Sequence, residues 1–124
     1  MLYKLSVNGK FSSAHALREY KGKCENLHGH NWKVRLCIAG SKLDDAGMLL
    51  DFTEIKKQLN ELLLSLDHKF LNETEVFASL NPTAENIAAF IFIEISKKIN
   101  SADYGVFEVE VWESENSSAT VSRQ

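Results

Sequence analysis

An α+β fold built on an antiparallel sheet is predicted for this chain of 124 residues, and three observations predict it. Two long stretches, 3–15 and 28–39, alternate apolar and polar residues with a period of two, as half-buried strands do. Two later stretches repeat apolar residues at helical spacing, and a last alternating run follows them. The resulting order, β-β-α-α-β, groups strands and helices instead of alternating them, which points away from a parallel sheet.

Each element has its own warrant. In the first strand Tyr3, Leu5, Val7, Phe11 and His15 share one phase, and Lys4, Ser6, Asn8 and Lys10 take the other. Lys21, Gly22 and Lys23 mark a loop. In the second strand His28, His30, Trp32, Val34, Leu36 and Ile38 share a phase against Asn31, Lys33 and Arg35, with Cys37 an ordinary sheet residue in the polar phase. Asp44-Asp45-Ala46-Gly47 reads as a turn, and Met48-Leu49-Leu50 as a short fourth strand. Asp51, with Glu54 three residues on, reads as an N-cap and a variant capping box. It opens a helix with Phe52, Ile55, Leu59, Leu62, Leu63 and Leu66 at helical spacing. Pro82-Thr83 opens a second helix with Thr83 as N-cap. Its apolar residues (Ile87, Ala88, Phe90 to Ile93, Ile95 and Ile99) cover more than one face, which calls for a second partner and suggests an oligomer. The last strand runs from Val106 to about Ser114, with Phe107, Val109 and Val111 in phase with Glu113.

Composition narrows the class of protein. One proline, six scattered glycines and no repeat leave no linker, so residues 1–124 are expected to form one domain. Fourteen basic against seventeen acidic side chains argue against a nucleic-acid-coating surface. No apolar run approaches the roughly 18 residues of a membrane span. The N-terminus lacks an apolar leader segment, so a cytoplasmic location with reduced thiols is expected.

Chemistry concentrates on a few positions. His28 and His30 alternate along one strand and so point to the same face. His15 ends another strand in its own apolar phase and can complete a triangle. Three imidazoles suit zinc and leave a fourth position open for water or substrate. Cys24, four residues before His28 and near Lys21 and Lys23, admits two readings: a thiolate base or nucleophile, or a fourth zinc ligand. Asp67-His68 is either a carboxylate orienting an imidazole for acid–base work or a turn with a solvated histidine. Glu113 is a carboxylate in an apolar phase. It is either a strand end reaching water or an acceptor for a ligand with a guanidine-like N–C–N edge.

Six segments in order then carry a family resemblance: Phe11-Ser-Ser-Ala-His15, Cys24-Glu-Asn-Leu-His28-Gly-His30, Gly47-Met-Leu-Leu-Asp51-Phe52, Leu66-Asp67-His68-Lys-Phe-Leu71-Asn72, Pro82-Thr83-Ala84-Glu85-Asn86 and Val111-Trp112-Glu113. The chain resembles the 6-pyruvoyl-tetrahydropterin synthase / 6-carboxy-tetrahydropterin synthase family, most of all the bacterial carboxy-forming enzymes of queuosine biosynthesis. The resemblance implies a tunnelling fold, a four-stranded antiparallel sheet with two helices on one face. It also implies a homohexamer, a dimer of trimers whose sites are shared between subunits. It implies zinc on His15, His28 and His30, Cys24 as catalytic thiolate, and Asp67 and His68 reaching the site from a neighbouring subunit. Glu113 would anchor the pterin's 2-amino-pyrimidinone edge, with Thr83 and Glu85 near the pterin pocket; Ala84 stands where some relatives carry a hydroxyl. The implied substrate is 7,8-dihydroneopterin triphosphate, its triphosphate cradled by basic residues such as Lys21, Lys23 or Lys69. The implied products are 6-carboxy-tetrahydropterin, acetaldehyde and triphosphate, with no nicotinamide. Three alternatives stand beside this: a 6-pyruvoyl-tetrahydropterin product, a folate-directed side-chain lyase using Glu25, and a non-enzymatic zinc-dependent assembly.

Overall fold

A computed structural model describes residues 1–18 and 26–124. Lys21, Gly22, Lys23, Cys24 and Glu25, which carry several of the expectations above, lie outside the described residues. The elements run β1 (Tyr3–His15), β2 (His28–Gly40), α1 (Phe52–Leu64), two 3-10 turns (Leu71–Glu73 and Val76–Ala78), α2 (Ala84–Ile99), β3 (Tyr104–Ser114) and β4 (Ser117–Ser122). The four strands form one sheet in the order β1-β2-β3-β4, each neighbour antiparallel. The α+β expectation, with its four-stranded antiparallel sheet and two helices, holds.

The fourth strand is not where the sequence pattern put it. Residues 48–50 form no strand. They leave a tight turn in which the Asp44 carboxylate accepts from the amides of Ala46 (2.9 Å) and Met48 (3.0 Å), with Gly47 at φ 81°. Leu49 then drops into the core at 8% exposure. The true fourth strand is Ser117–Ser122, Ser-Ser-Ala-Thr-Val-Ser. It carries one large apolar residue, Val121, and so shows no alternation. Its pairing with β3 through Ser114 and Ser117 makes it a strand.

Two register shifts matter. Cys37 pairs with Glu108 but Ile38 pairs with Val106, so Phe107 is an extra residue in β3. A bulge of this kind reverses the alternation, and Val106 and Val109 are both fully buried. Phe107, expected in phase with Val109, instead lies on the outer face, with the Lys4 ammonium 4.1 Å from its ring centroid. The second shift falls between Trp112 and Ser114, leaving Glu113 without an opposite residue in β4.

Both helices cover one face of the sheet. Ile55, Leu59, Leu62 and Leu63 of α1 and Ile87, Ala88, Ile91, Ile95 and Ile99 of α2 are buried against Val7, Phe11, Trp32, Val34, Leu36, Ile38, Val106, Val109 and Val111. Asp51 caps α1 by accepting from the Thr53 amide at 2.8 Å. Glu54 accepts from the Gln58 amide group at 3.0 Å. Thr83 caps α2 by accepting from the Asn86 amide at 3.1 Å. Much of the excess apolar surface of α2 finds its partner inside the chain: Phe90 meets Phe77 edge-on at 5.8 Å, Phe92 packs on the core, and Ile93 is 55% exposed. Cys37, expected in the polar phase, is buried at 2%. No helix among the described residues is long and apolar enough to cross a membrane.

A candidate metal centre at the end of the sheet

Register alone brings the histidines together. β1 and β2 pair so that His15 stands opposite His28 and Ser13 opposite His30. Their ring centroids lie 4.6 Å (His15–His28), 5.0 Å (His15–His30) and 4.6 Å (His28–His30) apart. Glu113 is aimed in from the bulge in β3, its Oε1 3.4 Å from His30 Nε2 and its Oε2 4.0 Å from His15 Nε2. Bulges often re-aim a side chain beside a functional site. His15, His28, His30 and Glu113 each offer one ligand atom, all within 4.8 Å of one another.

The proton positions on two rings follow from their partners. His15 Nδ1 lies 2.7 Å from the Pro82 carbonyl oxygen, and His28 Nδ1 lies 2.9 Å from that of Asn26. A carbonyl oxygen can only accept, so both rings carry a proton on Nδ1, and each ring in its neutral form presents a lone pair at Nε2. Those two Nε2 atoms face each other at 3.0 Å. With both rings neutral, two lone pairs at that distance repel, and either a shared proton or a metal ion among them relieves the contact. An imidazole whose far nitrogen donates to a backbone carbonyl is the usual arrangement of a metal-bound histidine. Imidazole and carboxylate together form a donor set that can hold a metal ion, and zinc is among the ions it suits.

Trp32 supports the centre from below. It is fully buried, donates from its indole nitrogen to the Ser13 carbonyl at 3.2 Å, and meets His15 and His30 edge-on at 5.0 and 5.2 Å. His15 itself is fully buried. Sequence reasoning assigned Trp32 no role, although it shares the histidines' strand phase. The carbonyls of Pro82 and Asn26 had no signal at all, because backbone oxygens are common to every residue.

Asp67 and His68 lie elsewhere along β1. The segment after α1 runs beside the outer edge of that strand: the Ala14 amide donates to the Lys69 carbonyl (3.0 Å) and the His68 amide to the Ser12 carbonyl (2.6 Å). Asp67 accepts from the Ser12 amide at 2.8 Å through Oδ1, and its Oδ2 is 2.9 Å from His68 Nδ1. The Ser12 amide, joined by the nearby His68 ring, holds the Asp67 carboxyl below its ordinary range. His68 has φ 55° and a side chain 82% exposed, so the imidazole is oriented by Asp67 and stands clear of the fold. The structure does not bring this pair into the histidine cluster of the same chain. Thr83 is occupied as the α2 cap, one residue after Pro82, and Glu85 is exposed in the first turn of that helix.

A four-stranded sheet under two helices, with a histidine and glutamate cluster able to hold a metal ion at its end, defines a narrow class of α+β protein. The family profile described as 6-pyruvoyl tetrahydropterin synthase matches residues 4–124, and this chain belongs to that family. It is 37% identical over 114 residues to a 6-carboxy-5,6,7,8-tetrahydropterin synthase of Synechocystis sp., covering 88% of this chain and 84% of the relative. It is 35% identical over 118 residues to a 6-pyruvoyl tetrahydrobiopterin synthase of Dictyostelium discoideum, covering 86% and 85%. The solved 6-pyruvoyl tetrahydropterin synthase of Caenorhabditis elegans superposes with a TM-score of 0.86 at 25% identity, over 100% of this chain and 97% of that one. The tunnelling fold is therefore shared.

Proposed function

We propose that residues 1–124 act as one pterin-binding domain of a zinc-dependent lyase. It converts 7,8-dihydroneopterin triphosphate to 6-carboxy-5,6,7,8-tetrahydropterin, releasing acetaldehyde and triphosphate, in the cytoplasmic route to queuosine. The observation that carries the metal part is the convergence of one ligand atom each from His15, His28, His30 and Glu113 within 4.8 Å, with the Nδ1 atoms of His15 and His28 held on carbonyls. His15, His28 and His30 would hold zinc. When bound, zinc supplies Lewis acidity towards neighbouring side-chain oxygens of the substrate.

The protein's own residues do the rest. Glu113 accepts the two donors of the 2-amino-pyrimidinone edge and fixes the ring. Cys24 takes and returns protons on one face of the substrate side chain. His68, its Nδ1 proton held by Asp67, offers Nε2 for proton transfer on the other face from a neighbouring subunit. Thr83 and Glu85 border the pterin pocket, and Lys21, Lys23 or Lys69 meets the triphosphate. Proton relocation reduces the ring while oxidising the side chain, so the electron count closes without nicotinamide. Cleavage between the first two side-chain carbons consumes one water and leaves the carboxylate and acetaldehyde. A homohexamer would supply the shared sites.

The Dictyostelium relative, named as a pyruvoyl enzyme, is nearly as similar as the Synechocystis one, so a product retaining the three-carbon side chain is the second reading. Mass spectrometry of the products from dihydroneopterin triphosphate decides between them. The expected outcome is a carboxylated tetrahydropterin with equimolar acetaldehyde. A pyruvoyl product, or a hydroxymethyl dihydropterin, would replace the first reading, and an unchanged substrate would remove both.

A further inference from the structure

Arg18 sits three residues past His15, and its guanidinium is given over to one loop. It donates through Nη1 to the Leu80 carbonyl (3.3 Å) and through Nη2 to the carbonyls of Asn72 (3.2 Å) and Phe77 (2.6 Å). Among the described residues no carboxylate pairs with it. Two carboxamides tie the same backbone together. Asn72 accepts from the Ala16 amide (2.9 Å) and donates to the Ala16 carbonyl (2.7 Å). Asn81 accepts from the Arg18 amide (2.9 Å) and donates to the Arg18 carbonyl (3.1 Å). Each side-chain amide acts as an added peptide unit in a ladder between residues 16–18 and the loop 72–81.

The far end of that loop reaches the metal centre. The Asn81 carbonyl accepts from the Thr83 amide and from the Asn86 side chain, both at 2.8 Å. Between Asn81 and Thr83, the Pro82 carbonyl is left pointing at His15 Nδ1. The Pro82 carbonyl lies in one peptide plane with the Thr83 amide, so its direction is set by the bond from that amide to the Asn81 carbonyl and by what holds Asn81. His15 is fully buried, which leaves water little access to substitute for Pro82.

We propose that Arg18 is a positioning residue for the metal centre. By gathering three loop carbonyls it keeps the Pro82 oxygen on His15 Nδ1, which fixes the ring's tautomer and turns the Nε2 lone pair towards His28, His30 and Glu113. The proposal rests on the metal-centre reading given above. A bare structural role would stabilise the loop and leave the centre's affinity alone, and this difference can be measured.

The probe is cobalt(II), titrated into the full chain against a competing chelator well below the unfolding temperature, with the visible ligand-field bands recorded. Arg18→Gln should weaken cobalt binding about tenfold to a hundredfold, the range seen when a partner behind a metal ligand is lost, and should alter the bands. Arg18→Lys should recover part of the affinity, since an ammonium still donates to carbonyls. Thr74→Ala removes a hydroxyl that donates to the Leu71 carbonyl at 2.6 Å in the same loop. It should lower Tm and leave affinity and bands unchanged. An Arg18→Gln chain that loses Tm but binds cobalt as the parent does overturns the proposal. If Arg18→Gln does not fold, Arg18→Lys decides: cobalt affinity below the parent's supports the proposal, and parent-like affinity with a lowered Tm overturns it. A parent chain that takes up no cobalt sinks the metal-centre reading and this proposal together, whereas a binding parent with equal-affinity variants sinks this proposal alone.

Discussion

Glu113 and Asp67 show how differently two carboxylates are held. Glu113 is 37% exposed and aimed at two imidazole nitrogens, so its charge is available to a ligand. Glu113→Gln keeps the shape and removes one charged acceptor, a loss of roughly 1.5–3 kcal/mol. Pterin binding measured by fluorescence should then weaken by about tenfold to a hundredfold or more. Cys24→Ala should do the reverse, binding pterin normally while single-turnover rate collapses, because proton movement contributes only in the transition state. Asp67 is engaged already, by the Ser12 amide and the His68 ring. Its folded pKa lies below its unfolded one. Its stabilising contribution is therefore complete above the ordinary aspartate range and is lost as pH falls through the depressed value. Urea midpoints of the parent and Asp67→Asn should differ near neutrality and converge on acidification below that range. A gap that widened instead would remove the assignment.

At the scale of elements, two glycines in β2 make a controlled comparison. A Cβ on Gly40 would come inside contact distance of the Asp103 backbone oxygen and 2.7 Å from Leu49 Cδ1. The backbone there cannot yield cheaply, so Gly40→Ala should destabilise by about 1–3 kcal/mol, as overpacking does. A Cβ on Gly29, between the two histidines, meets nothing within 4 Å. Gly29→Ala should stay within about 0.5 kcal/mol of the parent in denaturant titrations. The bulges act at this scale too. The extra residue Phe107 restores the core phase for Val106, and the slip after Trp112 frees Glu113 from strand pairing. Thr83 joins fold to site, since the cap that starts α2 also fixes the chain next to Pro82.

For the whole molecule, the metal should act as a folding ligand. An unfolded chain cannot keep His15, His28 and His30 converged, so an ion binding only the folded state adds about 2.7 kcal/mol at a hundredfold excess over Kd. That corresponds to a rise in Tm of roughly 10 °C for a domain of this size. Zinc addition and chelation, followed by thermal melts, should move Tm up and down by this order, and His15→Ala should abolish the response. The exposed imidazole of His68, oriented by Asp67 yet held away from its own chain's cluster, fits a site completed by a second copy. Light scattering should report a trimer-based assembly, and mixed oligomers of Cys24→Ala and His68→Ala chains should regain partial activity. A stable monomer of 14.0 kDa would contradict that arrangement.

Period and phase in the amino-acid sequence alone determined β1, β2, both helices with their Asp51 and Thr83 caps, and the shared face of His15, His28 and His30. Those features are local, or depend only on which side of a strand a residue points. The convergence of the histidines is set by the β1–β2 register, which no single strand encodes. β4 was invisible because a polar edge strand owes its conformation to a neighbour's hydrogen bonds, and Met48-Leu49-Leu50 misled because a turn residue that fills the core looks like a strand. The outward turn of Phe107 and the freeing of Glu113 depend on bulges, which are properties of a strand pair. The tautomers of His15 and His28 were decided by the carbonyls of Pro82 and Asn26. Backbone oxygens carry no residue identity, so only the tertiary structure could say which of them would meet an imidazole.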